Sequence, residues 1–334
     1  MKILVTGGAG YIGSHTIVDL IENGFEVVSI DNFSKSFSYS FDGIKKITGK
    51  EIKNYNINIC DAEELKKVFL EEKNIEGVIH FAAYKSVNES VQYPMKYYEN
   101  NMISLINILN CIEENKVKAF VFSSSCSVYG NAKTMPVDEN TPFEKPECAY
   151  AATKQMGEQM VKDAAASSKI SSLSLRYFNP VGAHLSAFIG ENSTDKPNNL
   201  VPIITQTAIG KMDEMNVWGN DYNTKDGTCV RDYIHVCDVA NAHTKAIKYL
   251  IDHNFSYDVL NLGIGTGVSV LEAIHAFEKV SGMKLNFKIG PRREGDVVEI
   301  FASNKKAKQI LDWEPKFDIE QMMLSAWEWQ KKLI

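Results

Sequence analysis

The sequence predicts an α/β protein built on a doubly wound parallel sheet, with a smaller, mixed α/β lobe toward its C-terminal end. Three observations carry that expectation. Short apolar runs alternate with amphipathic stretches through the first half, a glycine cluster follows the first apolar run directly, and the alternation breaks after Phe178. The apolar runs lie at residues 3–6, 27–30, 78–81, 120–123 and 173–177. They read as strands covered on both faces. Between them, apolar side chains recurring at helical spacing predict helices over 11–22, 63–72, 101–114 and 150–166.

Beyond Phe178 the chain becomes loop-rich, with Pro180, Gly182, Gly190, Pro197 and Gly210. A further strand is expected at 233–236, a helix at 270–280, and two more helices between 305 and 333, divided near Pro315. The predicted division is therefore residues 1–178 plus about 230–256 as a dinucleotide-binding domain, and about 179–229 plus 257–334 as a substrate lobe. A ligand site belongs between the two, at the carboxyl ends of the strands.

Composition narrows the function. A chain of 334 residues buries a substantial core without staples. Its formal charge of -6 argues against a general phosphate-backbone binder, so nucleic acid is not expected as a partner, although a local basic pocket for one diphosphate is compatible. Six cysteines lack CxxC spacing, and no leader-like segment precedes the first strand, which points to a reducing, cytoplasmic setting. No apolar run nears the roughly 18 residues that suggest a membrane span, and the seven histidines show no ligand spacing, so neither a membrane nor a metal is expected. Only four of the 36 basic residues are arginine: Arg176, Arg231, Arg292 and Arg293. Against such a lysine bias, each marks a position where a planar fork is expected to matter.

The glycine cluster reads GGAGYIG, with Gly7, Gly10 and Gly13 entering a helix straight from a strand. Gly7 permits the tight turn, Gly10 lets a pyrophosphate approach the backbone, and Gly13 lets the helix pack closely, while the helix N-terminus supplies donors. Asp31 closes the second strand, where its carboxylate would accept from ribose hydroxyls and repel an additional phosphate, so NAD is favoured over NADP.

Tyr150 and Lys154 sit four apart on a predicted helix and so share one face. A nearby ammonium, joined by a cationic nicotinamide, favours a phenolate that could take a proton from a sugar hydroxyl. A second such pair, Tyr129 and Lys133, runs into Gly130, a poor helix interior. The first is preferred because the strand at 120–123 ends in a run of serines, from which Ser125 is chosen to bridge to substrate.

Together these residues resemble the extended short-chain dehydrogenase/reductase family over essentially the whole chain, and its nucleotide-sugar epimerases in particular. The matching stretches are VTGGAGYIGSH, HFAAYKSV, YYENN, FSSSCSVYG, YAATK, LRYFNPVGAH, PNNLVP, WGNDYNTKDGTCVRDYIHV and PRREGD. The resemblance implies a Rossmann domain and interconversion of UDP-galactose and UDP-glucose, by reversible NAD-dependent oxidation at C4, rotation of the bound keto sugar and return of hydride. It implies NAD contacts from Tyr11, Ile12, Asp31, Asn32, Ser36, Ile59, Phe81, Ala82, Ala83, Lys85, Asn100, Tyr150, Lys154 and Phe178. For the UDP-hexose it implies Ser125, Asn179, Asn199, Leu200, Asn216, Trp218, Arg231, Arg293 and Asp296, and it implies a homodimer formed through two helices of the first lobe. Arg231 and Arg293 suit a diphosphate, and Trp218 offers a face for uracil.

Two positions depart from the family pattern. Asn58 stands where relatives usually have aspartate, although its amide oxygen can still accept from an adenine amino group. Ile300 stands where relatives carry either tyrosine or a small residue, which leaves acceptance of UDP-N-acetylhexosamines open. Two other functions stay in contention. A nucleotide-sugar 4,6-dehydratase begins with the same oxidation but wants a carboxyl pair after the catalytic hydroxyl residue, where Cys126 and Ser127 stand here. An NAD-sensing protein without turnover would tend to lack the Tyr/Lys pair.

Overall fold

The computed structural model describes every residue except Ser193, Asp195, Lys196, Glu294, Gly295 and Ile334; the central Glu294 and Gly295 of the PRREGD stretch thus lie outside the described residues. Strand β1 (Lys2–Thr6) is buried along almost its whole length and pairs in parallel with β2 (Glu26–Ile30) on one side. Beyond β2 lies β3 (Lys53–Tyr55); on the other side of β1 come β4 (Ile75–His80), β5 (Ala119–Ser123) and β6 (Ser171–Tyr177), all parallel. The linking helices are α1 (Tyr11–Glu22), α2 (Tyr39–Thr48), α3 (Ala62–Glu71), α4 (Val87–Gln92), α5 (Pro94–Glu114) and α6 (Ala149–Ser168).

Local chemistry sets several of these boundaries. Asp61 starts α3 by accepting from the Glu63 and Glu64 amides, and Ser86 does the same for α4 with Glu89. Pro94 opens α5, where its missing N–H costs nothing, so this helix begins a full turn and more before the predicted 101. Strand β4 likewise begins at Ile75 and ends at His80, earlier than the predicted 78–81, with Phe81 just beyond it still donating its amide to the Thr6 carbonyl.

From Tyr177 the chain crosses into the second lobe through β7 (Asn179–Val181), α7 (Leu200–Ala208), β8 (Met215–Trp218), β9 (Val230–Arg231) and β10 (Tyr233–His235). It then returns: α8 (Val236–Asp252) packs on α1 and on the sheet, and β11 (Tyr257–Leu262) pairs with β6. The sheet thus has seven strands in the order β11-β6-β5-β4-β1-β2-β3. The last stretch supplies β12 (Val268–Ser269), α9 (Val270–Ser281), β13 (Phe287–Gly290), β14 (Glu299–Ile300), α10 (Lys305–Leu311) and α11 (Ile319–Lys332).

The predicted domain division needs correction at this point. Residues 257–262 form the edge of the main sheet instead of opening the second lobe, and Ala307, Leu311 and Trp313 belong to the same core as Ile3, Val5 and Leu175. Conversely, 230–231 and 233–235 pair with strands of the smaller lobe. The physical reason is burial: β6 needs a neighbour on its open edge, and the leucines at 260 and 262 supply it. One apolar core lies on each face of the sheet, and a third, around Ile204, Phe277 and Trp327, holds the second lobe.

Candidate active site

The glycine loop shows why its residues must be small. Gly7 has a φ of +71°, and a Cβ there would meet the Ala82 amide nitrogen at 2.9 Å, so the turn after β1 lies against the exit of β4. At Gly13 a Cβ would come within 2.2 Å of the Gly7 carbonyl oxygen. Gly10 is different: a Cβ would meet only that carbonyl, at 3.1 Å, so its outer side is open. No side chain caps the N-terminus of α1 and no acidic residue stands in its first turn, leaving the amides beyond Gly10, at Tyr11 and Ile12, for an incoming anion. This cradle fits a dinucleotide pyrophosphate.

Asp31 lies at the end of β2, almost fully buried. One carboxylate oxygen accepts from the Ala9 amide (3.0 Å), and the other from the Phe33 amide (2.9 Å) and the Ser36 hydroxyl (2.8 Å). Glycine loop, Asp31 and Ser36 are therefore one unit, and a carboxylate with about four acceptor sites has capacity left for a ribose. Exposed Asn32 accepts from the Ser34 amide beside it. Asn58 is also exposed, with its side-chain oxygen accepting from the Cys60 amide, while Ile59 is buried under the sheet. At the mouth of β4, Phe81 packs on His243, the Ala82 amide donates to Thr6, and Ala83 leads toward Lys85. Asn100 faces the same side from α5, donating to Asn101.

The catalytic corner is formed where the end of β5 meets the first turns of α6. Ser125 has extended backbone and starts a short 3₁₀ turn, Cys126–Tyr129, by accepting from the Ser127 amide at 3.2 Å. Its hydroxyl lies close enough to the Tyr150 side chain to favour the phenolate. Lys154 reaches back under Tyr150, donating to the Ser123 carbonyl at 2.6 Å, with its nitrogen 5.8 Å from the tyrosine ring. The competing pair is disposed of: Tyr129 ends the 3₁₀ turn and commits its hydroxyl to Arg176 and Asn261, while Lys133 lies beyond any helix.

Burial dominates the electrostatics of this corner. Burial drives the Tyr150 phenol well above its ordinary value, and the neighbouring Ser125 hydroxyl offsets only part of that. Burial also lowers Lys154, to about 8, against a raising influence of Glu158, so the lysine is still mainly ammonium at neutral pH. A phenolate at Tyr150 has to overcome this burial, which fits the expectation that Lys154 and a nicotinamide ring charge act together. The predicted site residues omit Glu158, which lies one turn beyond Lys154, and Arg176; spacing on the helix is the signal that could have found the former.

On the far side of the cleft, Arg231, Arg293, Asp296 and Ile300 converge. Arg293 grips Asp296 through both a 2.6 Å and a 3.2 Å contact, Arg231 lies 3.9 Å from the same carboxylate, and Ile300 pairs with Arg231 in register. Cys126 ties this cluster to the catalytic corner, packing with Ile300 and Phe178. Trp218, 39% exposed, is backed by Gly290, and Asn216 precedes it on β8. Asn179 is stitched to the Asp232 carbonyl next to Arg231. Asn199 precedes Leu200 at the start of α7 and donates to Glu191 at 3.0 Å, and Glu191 in turn lies 3.7 Å from Lys85. This last link joins the two expected ligand halves through a residue that sequence reasoning missed.

A parallel sheet with an uncapped glycine turn, an acidic second-strand end and a buried Ser/Tyr/Lys corner defines an extended short-chain dehydrogenase/reductase. Comparison with known proteins agrees: a family model described as GDP-mannose 4,6 dehydratase matches residues 4–325. The UDP-glucose 4-epimerase of Bacillus subtilis is 47% identical over 331 residues, covering 99% of this chain and 97% of that protein. The chain belongs to the UDP-glucose 4-epimerase family. Among solved structures, the epimerase from Stenotrophomonas maltophila, with bound NAD and formylated UDP-arabinopyranose, superposes with a TM-score of 0.97 at 43% identity, covering 100% of this chain and 98% of that one. The UDP-Glc/GlcNAc 4-epimerase of Campylobacter jejuni reaches 0.85 at 36% identity, covering 99% of each chain.

Proposed function

We propose that this protein interconverts UDP-galactose and UDP-glucose as an NAD-dependent 4-epimerase of galactose metabolism. The observation that supports the reading is the Ser125–Tyr150–Lys154 corner linked through Cys126 to the side that carries Arg231 and Arg293, a pair sharing the Asp296 carboxylate. Bound NAD would be held by the Gly7–Gly13 loop, Asp31, Ser36 and the mouth of β4, and it supplies the redox chemistry and a positive ring charge. Tyr150 takes the 4-hydroxyl proton, with its phenolate stabilised by Lys154 and by that ring charge. Ser125 orients the sugar hydroxyl. Arg231 and Arg293 exchange their hold on Asp296 for the diphosphate, and Trp218 stacks on uracil, so the nucleotide stays fixed while the 4-keto hexose turns over. Tyr150 then returns its proton to the oxygen on the opposite configuration.

Elimination of water is disfavoured, which separates this reading from the dehydratase named by the family model. The two residues after Ser125 offer no acid: burial pushes the Cys126 thiol up to about 12, and the Ser127 hydroxyl is buried without a partner. The Tyr/Lys pair in place also speaks against a sensor lacking turnover. Ile300 is buried in one cluster with Phe178 and Tyr129, a wall of middling bulk, and the assay below decides whether UDP-N-acetylhexosamines are accepted as well. A homodimer is supported by an exposed apolar strip on α4, α5 and α6 formed by Val91, Met95, Ile103, Ile106 and Met156. Six free cysteines suit a cytoplasmic setting. Among the described residues, no helix is long and apolar enough to cross a membrane. Incubation of the purified protein with UDP-galactose, UDP-glucose and their N-acetyl counterparts, without added NAD, tests the reading. Each substrate accepted should come to equilibrium with its 4-epimer, and a dehydrated keto sugar or no product would reject it.

A further inference from the structure

Behind the catalytic corner lies a chain of buried polar side chains that the proposed reaction does not use. Glu158 and Arg176 are each about 4% exposed and meet fork to fork, with Nε to Oε1 at 2.8 Å and the second nitrogen to Oε2 at 2.6 Å. Glu158 also accepts from the Ser124 hydroxyl at 2.5 Å, and Arg176 donates to the Tyr129 hydroxyl at 2.8 Å, which donates in turn to Asn261 at 2.6 Å. The guanidinium is clamped between the rings of Tyr129 and Phe143, 4.9 and 4.8 Å from their centres. Buried ion pairs add little net stability on average, so one this fully satisfied invites a different explanation.

Its position supplies one. Glu158 follows Lys154 by four residues on α6 and so stands one turn behind it on the same face. Ser124, the residue it fixes, adjoins Ser125. Resting on the proposed epimerase reading, we infer that Glu158, locked in place by Arg176, is a positioning residue: it keeps the Lys154 side chain charged and registers the Ser124–Ser125 turn against Tyr150. The groups facing Lys154 leave Glu158 as the anion for this task. Phe122 presents its ring at 4.9 Å, the Ser123 carbonyl accepts, and His80, on β4, is buried and held neutral. The groups facing Glu158 and Arg176 are Ser124, Tyr129, Tyr257 and, through the loop at 139, Glu139. Burial already brings Lys154 close to losing its proton, and the carboxylate one turn away opposes that.

The test uses the intact protein and two variants, Glu158→Gln and Glu158→Gln/Arg176→Met, the second replacing the pair by residues that leave no buried charge. In Glu158→Gln the alkaline limb of kcat for UDP-galactose should move down by about one pH unit while KM changes less than about threefold, and in the double variant, which removes the opposing Arg176 charge as well, the shift should be smaller. A one-unit shift corresponds to a tenfold change in the Lys154 proton equilibrium. A readout free of turnover is the pH dependence of the Lys154 Cε resonance in lysine-labelled protein, assigned against Lys154→Arg; its midpoint should fall in the same variants. Ser124→Ala, which leaves the ion pair intact, covers the case in which neither variant folds, and should lower kcat several-fold at unchanged KM. Unshifted pH profiles and resonance in a folded variant, or an unaltered kcat in Ser124→Ala, would overturn the inference. Absence of epimerisation in the unmodified protein would instead fail the proposed function and leave the Lys154 titration to decide this point.

Discussion

The two sides of the cleft hold charge in opposite ways. At the catalytic corner Lys154, Glu158 and Arg176 are nearly inaccessible, each with a fixed set of partners, and their geometry is set by β5, α6 and β6 before any ligand arrives. Across the cleft, Arg293 is half exposed and Arg231 partly so, and both lean on the single carboxylate of Asp296. A buried network is costly to rearrange and serves chemistry that must not drift. Half-exposed ion pairs are cheap to exchange, which suits residues that surrender one anion for another. In the proposed reaction this would separate rigid proton handling from adjustable phosphate gripping, as a turning sugar on a stationary nucleotide requires.

Substitutions can break this contrast, and the largest effect is expected at the rigid side. Tyr150→Phe should fold and retain NAD through purification yet lose turnover by about a thousandfold, the usual order for a general acid–base group; substantial remaining epimerisation would remove Tyr150 from the reaction. Arg293→Ala should raise KM for UDP-galactose roughly ten- to hundredfold, the range for a lost charge-assisted hydrogen bond, with kcat little changed. Calorimetric titration with UDP would show the same loss, and an equal fall in kcat would mean that the phosphate side is as rigid as the catalytic one.

Away from the cleft, Glu72 provides a reference for what a semi-buried carboxylate does for folding alone. Burial by itself would raise its pKa, but hydrogen bonds from Lys2, Lys53 and Tyr55 carry it down to about 2. Because the folded value is depressed, its stabilisation is complete above the ordinary carboxyl value of 4.5 and is lost as pH falls toward 2. Melting temperature followed from pH 5 to pH 2 should therefore fall less steeply in Glu72→Gln than in the unmodified protein. The smallest effect is expected at Asp318, whose side chain and that of Gln321 form a reciprocal cap on α11. Asp318→Ala should cost about 1 kcal/mol, lower the melting temperature by about 2 °C, and leave kinetics on both sides of the cleft untouched.

Much of this architecture is legible in the residues. Five of the strands and the helices beginning at 11 and 150 follow from local periodicity, because strands covered on both faces are continuously apolar. Strand β11 is not legible in that way. Its sequence, YDVLNL, is neither continuously apolar nor regularly alternating, and its membership of the main sheet is decided by the open side of β6, remote in sequence. The site divides similarly. Gly7, Asp31, Tyr150 and Lys154 announce themselves through spacing, since a turn or a single helix relates each motif to its neighbours. Glu158 shares helical spacing with Lys154, but its partner Arg176 does not announce itself, because their contact exists only once β6 lies beside α6. The scarcity of arginine nevertheless pointed at Arg176, and the fork-to-fork geometry shows what lysine could not have done there.

The path of the chain has an evolutionary consequence. Because it leaves the Rossmann sheet after Tyr177, comes back for α8 and β11, departs again and returns once more for α10, no uninterrupted segment of gene encodes either lobe. Exchange of a specificity module by simple recombination is closed to such a protein. If the proposed site is right, new sugar preferences would arise instead by point substitutions in the returning segments, at positions such as Trp218 on β8 and Ile300 on β14.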